Sequence, residues 1–298
     1  MRDVLVIGGS RYFGKHVIEQ LLAGGVRVTV VNRGSTAAPV GTTHLVADRD
    51  DEAALREALG SRSFDAVLDQ VCYTPRQAGI AARVFAGRTG RYVMTSTIEV
   101  YDPLSSARLL PAPPGVPVTE DAIDLTSWPV DLDEPWDDPA FRDSAYGEGK
   151  RQAEAVFAGA AFPVASVRCG HVLGGGVADF TGRLAYYADR LRSGRPIEAP
   201  ATAYASSFIT DRQIADVLTW ALKADFTGPV NAASAQFDVY ELVAALAGDT
   251  APRYTSGTSP YAFDRWYAMD TARLASLGMK LPDAAAWLPA IAAEAMAA

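Results

Sequence analysis

Cysteine and histidine are scarce in this chain of 298 residues. Only Cys72 and Cys169 occur, far apart and in no CxxC pair, so the sequence carries no disulfide framework. Their expected role is that of small buried hydrophobes in a reducing compartment. His16, His44 and His171 are too few and too scattered for a histidine-built metal centre, and no metal is expected. Basic residues are outnumbered, 27 Lys and Arg against 35 Asp and Glu, giving a formal net charge of −8. That balance disfavours a nucleic-acid or anionic-membrane surface. Long apolar runs are missing too. After Met1-Arg2-Asp3 only four apolar residues precede a glycine pair, which is far short of a signal-peptide core. No stretch approaches the length of a membrane span. These absences predict a cytoplasmic protein whose partner is a small molecule.

What is present is an alternation. Val4–Ile7 is apolar throughout, as a strand buried on both faces must be. Lys15–Ala23 follows with Val17, Ile18, Leu21 and Leu22 on one helical face, ended by Gly24-Gly25. Strands are expected at 26–31, 44–46, 65–68, 91–95 and 164–167, and helices at 51–59, 78–86 and 144–158. Later elements are a helix at 180–192, a strand at 207–210, a helix at 211–223, a strand at 229–232 and helices at 239–246 and 284–298. The pattern predicts an α/β fold: a Rossmann-type doubly wound parallel sheet with a small, mostly C-terminal substrate domain. The expected division is a dinucleotide-binding domain over 1–172, to which 205–234 returns, and a substrate-binding domain over 173–204 and 235–298. Between Tyr101 and Ser144 eight prolines exclude long helices. Trp128 and Trp136 within that acidic stretch favour an ordered flap with apolar anchors over a solvated loop.

Gly8-Gly9-Ser10-Arg11-Tyr12-Phe13-Gly14 lies between the first strand and the first helix, where a dinucleotide fold needs close backbone approach to a pyrophosphate. The GxGxxG spacing is not met. The loop resembles the GxxGxxG of short-chain dehydrogenases/reductases, with Arg11 in place of the middle glycine. The second strand ends Val31-Asn32-Arg33, with no carboxylate to bond a ribose 2′-hydroxyl. Arg33, with Arg11 as a second guanidinium, suits a 2′-phosphate, so NADP is favoured over NAD. Asp48, after the third strand, suits the adenine amino group.

Tyr146-Gly147-Glu148-Gly149-Lys150 is a YxxxK, which puts Tyr146 and Lys150 on one helical face. There an ammonium lowers the phenol's pKa, and the tyrosine exchanges a proton with a substrate hydroxyl while hydride moves. It follows, by one long loop, a strand ending Met94-Thr95-Ser96-Thr97-Ile98-Glu99-Val100-Tyr101. In this order the motifs resemble the extended short-chain dehydrogenases/reductases, the NAD-dependent epimerase/dehydratase group, over residues 1–235. The resemblance implies that Thr97 bonds the reacting oxygen, that Tyr146 is the acid/base and that Lys150 is its partner. Val167–Gly174 is similar to the family's R-P-G-x-V-x-G segment, which places His171 near the nicotinamide carboxamide. Residues 69–73, Val71 among them, line the nicotinamide side. Thr97-Ile98-Glu99 is similar to the Thr-x-Glu of sugar-nucleotide dehydratases, where the glutamate removes a proton beside a transient ketone.

Several departures stand against a sugar-nucleotide substrate. Cys169 replaces a proline, Gln213 an aspartate and Ile98 a middle acid, and Ala205, Ser206 and Ser207 stand where an arginine usually precedes the aromatic Phe208. Arg183, Arg192 and Arg195 are the candidates to substitute. Three readings follow: an NADP(H)-dependent oxidoreductase acting on a secondary alcohol or ketone, an epimerase or dehydratase that returns its hydride with Glu99 as base, or a non-catalytic NADP-binding regulatory protein. A homodimer is an expectation from the resemblance alone.

Overall fold

The computed structural model describes residues 1–261 and 263–297. Its first half is a run of β1 (Asp3–Ile7), α1 (Phe13–Ala23), β2 (Arg27–Asn32), β3 (Thr43–Val46), α2 (Glu52–Leu59), β4 (Ala66–Asp69), α3 (Pro75–Phe85) and β5 (Tyr92–Thr97). After the proline-rich segment come α4 (Pro139–Ser144), α5 (Tyr146–Ala158), β6 (Val164–Cys169), β7 (His171–Leu173), α6 (Arg183–Ser193) and β8 (Ile197–Ala199). The chain finishes with β9 (Ser206–Thr210), α7 (Asp211–Ala221), β10 (Gly228–Ala232), β11 (Ala235–Phe237), α8 (Val239–Ala247), β12 (Tyr254–Ser256), α9 (Ala272–Ser276) and α10 (Ala284–Ala297). Ala298, expected in the closing helix, lies outside the described residues.

Seven strands form one parallel sheet in the order β10-β6-β5-β4-β1-β2-β3. Side chains alternate along β1. Val4 and Val6 pack with Val17, Ile18 and Leu21 of α1 and Ile214 and Leu218 of α7. Leu5 and Ile7 face the other layer, with Leu55, Ala81 and Phe85. Both faces are therefore covered, which is why these strands read as continuous apolar runs. Strand order reverses between β1 and β4, and the crevice beyond their carboxyl ends is the topological switch point.

Local chemistry sets the helix starts. Thr74 caps α3 by accepting from the Gln77 amide, with Pro75 at the first helical position, so this helix begins three residues before its expected start. Thr210 with Gln213 and Asp238 with Glu241 form complete capping boxes on α7 and α8. The helix expected over 144–158 is broken at Ala145, which makes Tyr146 the first residue of α5.

A second, three-stranded sheet, β11-β9-β7, carries its own core of Leu173, Leu184, Tyr187, Phe208, Leu242 and Phe263. The proline-rich segment is tied down at both tryptophans. Trp136 is 2% exposed and donates to the Asp131 carbonyl at 2.8 Å. Trp128 donates to Glu148 at 3.1 Å and packs on the Arg151 guanidinium. Earlier in the segment, Glu120 accepts from the Asn231 amide of β10 at 2.7 Å. No described helix is long and apolar enough to cross a membrane.

Candidate active site

The glycine loop lies at the switch point. Gly8 and Gly9 have φ of 83° and 74°, and a Cβ on Gly14 would sit 2.6 Å from the Gly9 Cα. Only glycine permits this packing. α1 starts with no side-chain cap and no acidic residue in its first turn, so its positive end is not neutralised. The Gln70 amide nitrogen is buried without a partner, and it lies 3.8 Å from where a Gly9 Cβ would be. A donor-lined glycine cradle with an orphaned buried N–H fits the pyrophosphate of a dinucleotide. Val71 closes over Gly8, and its amide donates to Asp69, which is buried against Arg49 and Tyr92.

Tyr12 is the one non-glycine residue with positive φ among the described residues. Its hydroxyl donates to the Gly174 carbonyl at 3.0 Å and its ring lies between Phe13 and Phe180. The glycine loop is thereby tied to the turn after β7. Ser10 is buried and accepts from Asn32, whose own carbonyl oxygen holds the Gly34 amide and His44. Asn32 thus shapes the turn after β2, leaving Arg33 exposed there. Arg11 and Asp48 are also exposed.

The catalytic candidates converge. Thr97 ends β5 and its hydroxyl accepts from the Glu99 amide at 3.2 Å. It also lies close enough to the Tyr146 phenol to lower its proton affinity, although the two make no aligned hydrogen bond. Burial dominates, however, and the phenol's pKa is pushed above its ordinary value. This corrects the lowering expected from YxxxK. Lys150 Nζ donates to the Thr95 carbonyl at 2.7 Å and stands 4.6 Å over the Tyr73 ring and 5.9 Å from the Tyr146 ring. Its charge is directed first at Thr95 and Tyr73. Burial brings the Lys150 pKa down to about 8.

The YxxxK helix is pressed into place by its glycines. A Cβ on Gly147 would lie 2.4 Å from the Glu99 carbonyl oxygen, and one on Gly149 would lie 2.4 Å from the Tyr73 carbonyl oxygen. Two glycines inside a helix cost about 1 kcal/mol each, and that cost was the readable signal of a close approach.

Glu99 stands in a 3-10 turn (Ile98–Tyr101) directly after Thr97. Tyr267 donates to its Oε2 at 2.9 Å, and Arg265 donates to the Tyr267 oxygen at 3.0 Å. Burial raises the Glu99 pKa, and the Tyr267 hydrogen bond opposes this. His171 stacks on Tyr267 and accepts at Nδ1 from Arg183 at 3.2 Å. Burial and the two nearby guanidiniums hold its pKa well below the histidine range. Of the three candidate substitute arginines, Arg183 alone meets these residues. Arg195 pairs with Asp189 and Arg192 reaches the Met296 carbonyl. Gln70 and Tyr73 fall in the 69–73 segment expected on the nicotinamide side and Arg183 is among the candidate arginines, whereas Arg265 and Tyr267 had no spacing signal of their own. Two open grooves, about 700 Å³ beside Met1 and Lys223 and about 500 Å³ beside Met269 and Lys280, touch none of these groups. Among the described residues no cluster of His, Cys, Asp and Glu is arranged to hold a metal.

Residues 4–83 match the model of the NAD dependent epimerase/dehydratase family. No protein of curated function matches the chain. Among solved structures the whole chain is similar to UDP-glucose 4-epimerase of Thermotoga maritima, with 17% identity, 98% of each chain covered and a TM-score of 0.70. It is similar to UDP-glucose 4-epimerase of Thermus thermophilus complexed with NAD, at 19% identity, 99% of each chain and 0.69. It is also similar to dTDP-glucose 4,6-dehydratase of Bacillus anthracis complexed with NAD, at 13% identity, 99% of this chain, 96% of that one and 0.73.

Proposed function

We propose, from the premise that residues 4–83 match the NAD-dependent epimerase/dehydratase family and the whole chain takes its extended short-chain dehydrogenase/reductase fold, that this protein is an epimerase or dehydratase of a sugar nucleotide, which oxidises a secondary alcohol transiently and takes its hydride back. The observation that supports the reading is the grouping of Thr97, Tyr146, Lys150 and Glu99, beside which stand an uncapped α1 and an orphaned Gln70 amide at the glycine loop as separate support for a dinucleotide. A bound nicotinamide dinucleotide supplies the hydride acceptor and donor there.

The protein's own groups do the rest. Gly8, Gly9, Ser10, Tyr12, Phe13 and Gly14 cradle the pyrophosphate, while Arg33 and Arg11, both exposed and without a facing carboxylate, receive a 2′-phosphate and favour NADP. Asp48 and Val71 border the adenine and nicotinamide ends. Thr97 hydrogen-bonds the reacting oxygen, and Tyr146 takes its proton and later returns it. Lys150 orients the ribose side of the site. Glu99 removes the proton beside the transient carbonyl. His171, neutral, offers its Nε2–H. Residues 173–204 and 235–298 supply the substrate wall, and the enzyme acts as a cytoplasmic homodimer.

One observation favours a second reading. Ser206 and Ser207 are buried in β9, so no arginine meets a diphosphate at that place. A net NADP(H)-dependent reductase of a smaller polar substrate accommodates this. The test is to incubate the protein with NADP⁺ or NAD⁺ and UDP-glucose, UDP-N-acetylglucosamine or dTDP-glucose, following products by chromatography and mass spectrometry. An isomer or a loss of water without accumulated reduced cofactor, abolished in Tyr146→Phe while dinucleotide binding persists, is the expected result. Full activity in Tyr146→Phe refutes the proton-transfer role. Reduced cofactor that accumulates in step with product replaces internal redox with net oxidation, and stoichiometric consumption of NADPH supplied in place of NADP⁺ replaces it with net reduction.

A further inference from the structure

Glu99 is held from behind by a segment that begins far away in sequence, and the polarity of that contact is fixed by chemistry. The Arg265 guanidinium has only donors, so the Tyr267 oxygen accepts from it, and the phenol proton is left to go to Glu99 Oε2. Arg265 is itself clamped by Asp102 at 3.1 Å and Asp264 at 2.7 Å. Asp102 directly follows the turn that carries Glu99, so an Arg-x-Tyr staple grips both ends of that turn.

The other Glu99 oxygen is treated differently. His171 Nδ1 is 3.9 Å from Oε1, beyond hydrogen-bond reach, and it already accepts from Arg183, a donor-only group. The His171 proton therefore sits on Nε2, and Oε1 receives no donor from the ring. Tyr267 itself is fully buried, stacked at 14° on His171, with its amide donating to the Ala205 carbonyl at 3.1 Å.

We infer that Tyr267, backed by Arg265, is a positioning residue that fixes one oxygen of Glu99 and keeps the carboxylate ionised, leaving Oε1 as the oxygen that takes a proton from the substrate. The last clause rests on the proposed role of Glu99, and the first does not. The charged and titratable groups around Glu99 are Asp102 of its own segment, Tyr146 of α5, His171 of β7, Arg183 of α6, and Arg265 and Tyr267.

The test is ¹³C NMR of the glutamate side-chain carboxyls in the full-length protein across pH, with Glu99→Gln identifying the resonance. Tyr267→Phe keeps the stacked ring and removes only the donor. It is expected to move the Glu99 midpoint upward by about one pH unit. Arg265→Met, which leaves the phenol in place, is expected to move it in the same direction by less. An unmoved midpoint in both variants overturns the staple. If the midpoint moves but Glu99→Gln turns over sugar nucleotides at the wild-type rate, the staple stands and the base role of Glu99 falls. Where turnover is measured, the acid limb of kcat in Tyr267→Phe rises by the same interval while the Kd for NADPH holds.

Discussion

Lys150→Met removes a charge from the least hydrated corner of the site and keeps the length of the side chain. Lys150 is 2% exposed, and its ammonium has one carbonyl and the Tyr73 ring, with the Tyr146 ring farther off, for company. Burial takes its pKa from the ordinary 10.5 to about 8. That gap means the folded protein holds the ammonium less favourably than the unfolded chain does, by about 3 kcal/mol at pH 7. The sign follows from proton counts. Between about pH 8 and 10.5 the unfolded chain binds more protons at this site than the folded one, so stability from this residue rises with pH across that window. The handicap of wild type relative to Lys150→Met is therefore full below pH 8 and shrinks to about 2 kcal/mol at pH 9.

The assay is urea unfolding followed by circular dichroism from pH 6.5 to 9.5, on both proteins. The variant also loses the bond to the Thr95 carbonyl, which shifts its absolute stability by about 1 kcal/mol. The diagnostic quantity is thus the change in the difference with pH and not its level at any one pH. Burial raises the Cys72, Cys169 and Tyr92 pKa values, which moves their folded-state titration toward and past the alkaline end of this range. A difference that stays flat to within experimental error refutes the desolvated ammonium, and with it the geometry assigned to α5.

Arg33→Ala is expected to weaken NADPH binding by tenfold or more and NADH binding much less, since only the former has a phosphate for an exposed guanidinium to meet; equal losses in fluorescence titrations remove the NADP assignment. Gly147→Ala reverses an ordinary trend. An exposed helical glycine gains about 1 kcal/mol on becoming alanine, but here the new methyl meets the Glu99 carbonyl at 2.4 Å, and overpacking costs about 1–3 kcal/mol. A net loss in urea unfolding is expected, and a stabilised variant shows that α5 does not press on the Glu99 turn.

How much of this was legible in the sequence depended on how local its cause was. β1, its glycine loop and α1 were readable because a strand covered on both faces has to be apolar at every position, and a helix packed on it has to carry an apolar stripe. β7, β8, β11 and β12 have three residues each, too few for any periodicity to rise above chance. The start of α3 was readable in principle from Thr74-Pro75, a cap followed by a residue that needs no N–H, yet the apolar stripe begins later and drew the boundary with it. Trp128 and Trp136 marked the proline-rich segment as anchored, because each offers a large apolar area and one N–H that has to find an acceptor.

The site divides along the same line. Thr97, Tyr146 and Lys150 sit at fixed offsets on a strand end and a helix, so their convergence follows once those elements exist. The direction of the Tyr146 shift did not follow, because it depends on how much water the fold removes and on Lys150 turning its charge toward Thr95 and Tyr73 instead. The Glu99–Tyr267 bond spans 168 residues and belongs to no periodic element. Arg-Trp-Tyr at 265–267 is an unremarkable tripeptide until the chain closes on itself. Glu99 as the base is thus a reading the local sequence can raise, but whether the carboxylate is held, ionised and open on one side is decided by a segment the local sequence never mentions. A carboxylate set in place by one element and held from another can be retuned by changes at 265–267 with Thr97, Tyr146 and Lys150 left as they are.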